Sequence, residues 1–133
     1  MKFKVLLVDD NPTFVNAVRK FLDLMPGVTV VGHAFDGADA LLKAQTLMPD
    51  LVLLDIAMPR MNGLEVAQQM NTWPKPPLIV FLSMHDNAEY RLAAQGLSAA
   101  YVGKCDFVDK LVPIIAQLRL RAISPVYVVD GGP

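Results

Sequence analysis

The sequence predicts an α/β domain in which a doubly wound, five-stranded parallel sheet carries helices on both faces. Its 133 residues suffice for one compact domain and leave little room for a second. Short apolar runs alternate five times with longer segments of helical periodicity, and strands that alternate with helices pair in parallel through right-handed crossovers. Four of the five runs are continuously apolar, which indicates strands that are buried on both faces.

Each predicted helix has a start signal, a stop signal or an apolar stripe. The first begins with Asn11 as its N-cap and Pro12 at its first helical position, and Asp36 caps the second. Pro74 and the prolines that follow it end the third helix. The fourth is predicted to begin at Asp86, and the fifth shows apolar residues at helical spacing. The predicted strands occupy residues 5–8, 28–32, 51–54, 78–82 and 99–102.

The composition excludes several classes of protein. A net charge of −1 provides no basic surface, so direct binding to nucleic acid is not expected. The longest apolar runs have the length of strands, far below the roughly 20 residues of a transmembrane helix, and the N-terminal run is too short for a signal peptide. The lone Cys105 can form neither an intramolecular disulfide nor a metal cluster. We therefore expect a cytoplasmic protein that contacts no membrane.

Polar residues follow four of the five predicted strands. They are Asp9 and Asp10 after the first, Asp55 after the third, Ser83 after the fourth and Lys104 after the fifth. Because parallel strands all point their carboxyl ends to one edge, where ligands bind in such folds, we expect these side chains to converge there. By contrast, Asp50 precedes the third strand and is expected at the opposite edge, as a solvated turn residue.

The converging carboxylates predict a metal site. Three neighbouring carboxylates cannot all stay ionised without a compensating cation, because each raises the pKa of the others. Oxygen ligands in a partly open shell suit Mg²⁺, with Mn²⁺ as an acceptable substitute. Asp9 and Asp10 are the best placed metal ligands, and the backbone carbonyl of Ala57 could complete the shell.

The remaining residues predict phosphoryl transfer to a carboxylate. Asp55 is the best nucleophile, because the loop after it is rich in turn residues and leaves its side chain pointing out of the edge. Ser83 offers a hydroxyl and Lys104 an ammonium for phosphoryl oxygens. Taken singly, such residues are often turn elements, helix caps or solvated charges. Their convergence at the ends of four strands favours the site.

These residues resemble the receiver domain of bacterial two-component response regulators over residues 2–120. The resemblance rests on segments 5–10, 49–59, 62–65 and 101–104 together with Ser83, in the order and approximate spacing of that family. It implies a flavodoxin-like, CheY-like fold with strand order 2-1-3-4-5, a receiver domain over residues 1–121 and a tail or linker stub over 122–133. Residues 31–41 are similar to the NarL/LuxR-type subgroup, whose receivers precede a helix-turn-helix DNA-binding domain.

The resemblance also implies roles for the site residues. Asp55 would accept a phosphoryl group, in a Mg²⁺-dependent reaction, from a sensor histidine kinase or a phosphotransfer protein. Lys104 would pair with that group, while Ser83 swings toward it and Tyr101 rotates inward, and this movement would switch a surface that can support a homodimer. The implied metal ligands are Asp9, Asp10, Asp55 and the carbonyl of Ala57.

Three positions bear on how closely this chain follows the family: one departs from a common residue, and two occupy positions that vary the chemistry. Many receivers have a proline after the lysine, with a cis peptide, whereas Cys105 follows Lys104 here. Since a non-proline cis bond costs roughly 3 kcal/mol, we predict a trans peptide or visible strain at that position. Ala57 and His85, each two residues past a site residue, occupy the positions that tune how water reaches the acyl phosphate in this family, and so its dephosphorylation.

The leading hypothesis is therefore a phosphorylation-driven switch that is not an enzyme, beyond catalysing its own phosphorylation and dephosphorylation. Its expected output is transcription through a DNA-binding domain that is absent, because the chain stops at Pro133. The alternatives are a stand-alone receiver or a phosphorylation-independent interaction module. An aspartyl-phosphate hydrolase ranks lower, since such enzymes carry their acidic pair as Asp-x-Asp after the first strand.

Overall fold

Five strands alternate with five helices in the computed structural model, which describes residues 2–84 and 87–123. The strands are β1 (Phe3–Val8), β2 (Val28–Ala34), β3 (Leu51–Asp55), β4 (Leu78–Ser83) and β5 (Ala100–Gly103). The helices are α1 (Pro12–Leu22), α2 (Gly37–Leu47), α3 (Gly63–Met70), α4 (Ala88–Gly96) and α5 (Phe107–Ile123), and a 3-10 turn, Lys104–Asp106, precedes α5. All neighbouring strands pair in parallel in the order β2-β1-β3-β4-β5, which confirms the predicted topology.

The described residues stop within the predicted tail. Helix α5 ends at Ile123, and residues 124–133, which make up most of the predicted stub 122–133, lie outside the described part of the chain. None of the helices described is both long enough and apolar enough to cross a membrane.

Side-chain caps fix where the first two helices begin. The Oδ1 atom of Asn11 accepts hydrogen bonds from the backbone N–H groups of Thr13 and Phe14, at 3.0 and 3.3 Å. Asp36 accepts from the N–H of Asp39 at 2.8 Å. Both caps satisfy amides that the first helical turn leaves without partners, as the sequence predicts.

The predicted start of α4 is wrong. The helix begins at Ala88, and its N-cap is Asn87, whose side chain accepts from the Tyr90 N–H at 3.1 Å. Asp86, the predicted start, lies outside the described residues. Asn and Asp cap helices equally well, so an adjacent pair leaves the boundary uncertain by one residue until packing selects between them.

The sheet divides the core into two layers, because successive side chains of a strand point to opposite faces. Val5 and Leu7 of β1 pack under α1 and α5, whereas Leu6 and Val8 pack under α2, α3 and α4. All four side chains are at most 3% exposed. The continuously apolar runs are therefore explained by burial on both faces.

Part of the predicted apolar stripes lies at the surface. A helix that packs on one face of a sheet buries a single stripe, so apolar residues beside that stripe stay in contact with water. Leu42, Leu92, Val108 and Val112 are 63%, 68%, 53% and 42% exposed.

Asp50 is more structured than predicted. Its Oδ2 atom accepts a hydrogen bond from the backbone N–H of Lys4 at 2.7 Å, and its own N–H donates to the Lys4 carbonyl at 2.8 Å. The carbonyl of Asp50 also accepts from the N–H of Leu78 at 3.0 Å. Asp50 therefore joins the starts of β1, β3 and β4, at the edge opposite to the predicted site.

Candidate functional site

The carboxyl edge of the sheet gathers the predicted polar residues. Strands β1 and β3 are neighbours, with Val8 beside Leu54, so Asp9 and Asp55 stand at the ends of adjacent strands. The buried polar or charged residues of the described chain are Asp9, Asp55, Ser83 and Lys104. Because burying charged groups is unfavourable unless they are paired, their concentration at one edge indicates a functional site.

Three carboxylates form a cluster at this edge. Asp9, Asp10 and Asp55 each place a carboxylate oxygen within 4.8 Å of the others. Asp9 and Asp55 are buried, whereas Asp10 is exposed at the rim. The Oδ1 atom of Asp9 accepts a hydrogen bond from the N–H of Asn11 at 2.9 Å, which fixes this carboxylate at the start of α1.

Lys104 brings a positive charge into the cluster. Its Nζ atom lies 2.6 Å from Oδ2 of Asp9 and 3.6 Å from Oδ1 of Asp55. The lysine side chain is 8% exposed and belongs to the 3-10 turn that follows β5. No peptide bond in the described part of the chain is cis, so the bond from Lys104 to Cys105 is trans, as predicted.

Burial and the neighbouring carboxylates raise the pKa of Asp55 to about 7. Burial is the largest cause, because it disfavours the charged form, and the negative charge of Asp9 is the second. Lys104 lowers the pKa, Asp10 raises it, and a hydrogen bond from the backbone of Ala57 lowers it. Asp55 therefore exchanges its proton near neutral pH while no further cation is bound.

The residues present fit a divalent cation. The Oδ2 atom of Asp9 is fully buried, and the Lys104 ammonium lies 2.6 Å from it as its counter-charge. The donor set consists of carboxylate oxygens, one of them at the solvent-exposed rim, and such a set suits Mg²⁺, which retains several waters. The predicted metal-ligand role of the Ala57 carbonyl stays a prediction.

The loop after Asp55 is held in one shape. The carbonyl of Ile56 accepts hydrogen bonds from the N–H groups of Met58 and Gly63, at 3.0 and 2.8 Å. A Cβ atom at Gly63 would overlap the backbone carbonyl oxygen of Asp55, so this turn requires glycine. Arg60, at the tip of the loop, adopts a left-handed conformation with φ of 69°. The loop thus brings the start of α3 against the backbone of Asp55.

Ser83 and Tyr101 lie on the strands that flank this cluster. Ser83 is the last residue of β4, is 3% exposed and pairs in register with Gly103. Tyr101 pairs with Phe81 and is half-buried, with the guanidinium carbon of Arg91 4.5 Å from its ring centroid. The switch roles of Ser83 and Tyr101 stay predictions, and His85 lies outside the described residues.

One element at this edge went unnoticed at the level of sequence. Asn62 and Glu65 form a capping box, in which Asn62 Oδ1 accepts from the Glu65 N–H at 2.9 Å and Glu65 Oε1 accepts from the Asn62 N–H at 3.1 Å. The spacing Asn-x-x-Glu before an apolar run is the signal that could have identified it. The box fixes the start of α3 and, with Gly63, the end of the Asp55 loop.

Known proteins are similar to this chain, in sequence or in structure, over most of its length. A protein-glutamate methylesterase/protein-glutamine glutaminase of Alkalilimnicola ehrlichii is 34% identical over 99% of this chain and 34% of its own length. The signal receiver domain of the putative response regulator NarL from Mycobacterium tuberculosis is 32% identical, with a TM-score of 0.76 over 85% of this chain and 95% of that one. The response regulator domain of Thermotoga maritima CheB is 26% identical, with a TM-score of 0.77 over 90% and 95%.

These relatives correct one prediction. The chain spans about a third of the length of the curated relatives it matches, and those relatives are named as enzymes, protein-glutamate methylesterase/protein-glutamine glutaminase. The prediction that the protein is not an enzyme is therefore wrong. That prediction considered only the residues around Asp55. The site of one domain carries no information on the activity of another domain.

The family assignment agrees with the geometry. The family model described as response regulator receiver domain matches residues 5–116, which include every residue of the carboxylate cluster and Lys104. The strand order β2-β1-β3-β4-β5 places these residues at one edge of the sheet, and the fold is similar to that of solved receiver domains. The chain belongs to the response regulator receiver domain family.

Proposed function

We propose that this receiver accepts a phosphoryl group on Asp55 from the phosphohistidine of a sensor histidine kinase or a phosphotransfer protein. The observation that carries the proposal is the buried Lys104 ammonium, which lies between the Asp9 and Asp55 carboxylates at the carboxyl edge of the sheet. Such a kinase uses a nucleotide as its source of phosphate, which favours a cytoplasmic location for the pair.

In the proposed reaction, a carboxylate oxygen of Asp55 attacks phosphorus. The new O–P bond forms as the P–N bond of phosphohistidine breaks, and the electron pair of that bond returns to the imidazole nitrogen. Lys104 keeps its protons and stabilises the negative charge on the phosphoryl oxygens. Asp55 must be ionised to attack, and its pKa of about 7 makes this condition depend on the cations around it.

Mg²⁺ bound at this edge would neutralise charge on the phosphoryl oxygens. The residues that would hold it are Asp9, Asp10, Asp55 and the backbone carbonyl of Ala57, with Mn²⁺ as an acceptable substitute. Asp10 provides the exposed carboxylate, so the cation can enter from solvent without opening the core.

Ser83 and Tyr101 are proposed to transmit the phosphorylation of Asp55 to the surface of the domain. Ser83 would donate its hydroxyl to a phosphoryl oxygen, and Tyr101 would then turn inward, which biases the surface formed by α4, β5 and α5. That surface is proposed to engage an output domain or a second copy of the chain. Ala57 and His85 are proposed to set how fast water reaches the acyl phosphate.

Two outputs are supported by relatives. A methylesterase output is favoured by the relatives named for that activity, one of which is 34% identical. Transcription is favoured by the resemblance of residues 31–41 to NarL/LuxR-type receivers, and the receiver of the putative response regulator NarL is 32% identical. A stand-alone receiver and a phosphorylation-independent interaction module remain the alternatives. Partner binding that phosphorylation leaves unchanged would favour the interaction module.

Incubation with acetyl phosphate and Mg²⁺ tests the reaction. We expect the wild type to gain one phosphoryl group by intact mass, the Asp55→Asn variant to gain none, and the exposed control Asp23→Asn to behave as wild type. Size measurement on the same samples tests self-association. A wild type that gains nothing with Mg²⁺, or an Asp55→Asn variant that gains as much, would contradict the proposal.

A further inference from the structure

Lys104 also contacts an aromatic ring. Its Nζ atom lies over the ring of Phe14, 4.6 Å from the centroid, within the about 6 Å over which a cation is attracted to the face of a ring. Phe14 lies in the first turn of α1, and its N–H donates to the capping oxygen of Asn11. The ring and the two carboxylates therefore surround the same ammonium group.

Phe107 packs against two phenyl rings of α1, one of which is Phe14. Phe107, the first residue of α5, meets Phe14 edge to face at 5.5 Å and 79°, and meets Phe21 at 5.5 Å and 86°. Edge-to-face contact is a favourable arrangement for aromatic pairs, so Phe107 holds the face of Phe14 toward Lys104. Because Phe107 follows Lys104 by three residues, the rings join α1 to the segment that carries the lysine.

We propose that Phe14 is a positioning residue that holds the Lys104 ammonium between Asp9 and Asp55 and thereby sets the rate of phosphoryl transfer. The proposal rests on the proposed function, since it concerns the same transfer to Asp55. In this role Phe14 acts through Lys104 and is not itself a catalytic residue.

An aromatic face suits this task better than a charged or polar group. A lysine side chain is long and flexible, so the ammonium must be confined if its charge is to act at one place. A third carboxylate would confine it but would also compete with the phosphoryl oxygens for its charge. The ring attracts the cation, shields it from water and leaves its N–H groups available to oxygen acceptors.

Phe14 should affect the rate of the chemical step, the transfer of the phosphoryl group to Asp55. As the O–P bond to Asp55 forms and the bond to the leaving group breaks, negative charge on the phosphoryl oxygens meets the Lys104 ammonium, which keeps its protons. A misplaced ammonium lowers the stabilisation of that charge. The maximal rate, measured with Mg²⁺ at saturation, should therefore fall when Phe14 is replaced.

The test compares single substitutions with acetyl phosphate as donor and Mg²⁺ at saturation. We expect Phe14→Leu to lower the maximal phosphorylation rate roughly tenfold and Phe14→Tyr, which keeps the ring, to restore it. Phe21→Leu is the matched control, because it removes a contact to Phe107 without touching Lys104. If Phe14→Leu fails to fold, 3,4,5-trifluorophenylalanine at position 14 preserves the shape of the ring and weakens only its negative face.

A second readout needs no phosphorylation. The face of Phe14 should shift the NMR signals of the Lys104 CεH₂ group through its ring current, and this shift should disappear in Phe14→Leu and persist in Phe21→Leu. A wild-type rate together with an unchanged CεH₂ signal in Phe14→Leu would overturn the inference, as would a Phe21→Leu variant that is slowed equally. A wild type that gains no phosphoryl group would instead overturn the proposed function itself.

Discussion

Around Asp55 the negatively charged groups outnumber the positively charged ones. Asp9, Asp10 and Asp55 approach within 4.8 Å of one another, and Lys104 reaches two of them. Burial and the charge of Asp9 then raise the pKa of Asp55 to about 7. Any cation that binds here, and any change in the position of Lys104, alters the charge state of the proposed phosphoacceptor.

Removing the lysine should therefore destabilise the fold. We expect Lys104→Met to lower the free energy of unfolding by about 3 kcal/mol near neutral pH without divalent cations, because it leaves the buried carboxylates without their counter-charge. Adding Asp55→Asn to this variant should recover part of the loss, since it removes one of those charges. Urea unfolding measures both, with the exposed Lys20→Met as control. Equal stability of Lys104→Met and the control would refute this account.

The candidate site was predictable where strand ends coincide with polar residues, and unpredictable where helices supply the contact. Asp9, Asp55 and Lys104 follow apolar runs, so the topology alone brings them to one edge. Phe14 gives no such signal, because a phenylalanine on an amphipathic helix is explained by core packing. Its contact with Lys104 depends on how α1 packs against the turn between β5 and α5, which local sequence does not specify.

At the scale of elements, strands and helix types were predictable, and loops and boundaries were not. The apolar runs located β1 to β5, but the neighbouring Asp86 and Asn87 offered two equivalent caps for α4. The loop between β3 and α3 was predicted only as a turn. Its shape follows from hydrogen bonds to Ile56 and from the close approach of Gly63 to Asp55, both of which arise only after the strand and helix have packed.

Gly63 should tolerate no side chain. We expect Gly63→Ala to lower the free energy of unfolding by about 2–3 kcal/mol, because the new Cβ would overlap the backbone carbonyl of Asp55 and push apart β3 and α3. Phosphorylation at Asp55 should slow as well. Gly96→Ala is the matched control: a Cβ there has nothing within 4 Å, and alanine in a helix should stabilise by about 0.5 kcal/mol. A Gly63→Ala variant as stable as the control would disprove the close approach.

For the whole molecule, alternation of strands and helices was enough to predict a parallel sheet with a site at its carboxyl edge. The resemblance then supplied the strand order, which the structure confirms. An enzymatic activity like that named for the relatives was not predictable, because the residues of one domain carry no information on the chemistry of another. The exposed Leu92, Val108 and Val112 lie on α4 and α5, where packing within the described residues leaves them uncovered.

The raised pKa of Asp55 makes the stability of the whole molecule depend on pH. Without divalent cations, the folded protein keeps the Asp55 proton up to pH of about 7, whereas the unfolded chain loses it near the ordinary value of 3.8. Between these values the native state binds more protons than the unfolded state, so the contribution of Asp55 to the free energy of unfolding must fall as pH rises. The full difference amounts to about 4 kcal/mol at most, and it is complete once pH exceeds about 7.

The comparison with Asp55→Asn isolates this contribution, because the amide cannot titrate. In a chelator, urea unfolding of the two proteins should give similar free energies near pH 4, with the variant increasingly more stable toward pH 7.5. Added Mg²⁺ should then stabilise the wild type by mass action, and more strongly at pH 7.5 than at pH 5.5, because protons compete with the cation for Asp55. Parallel curves for wild type and variant, or a Mg²⁺ effect independent of pH, would show that Asp55 is ionised throughout.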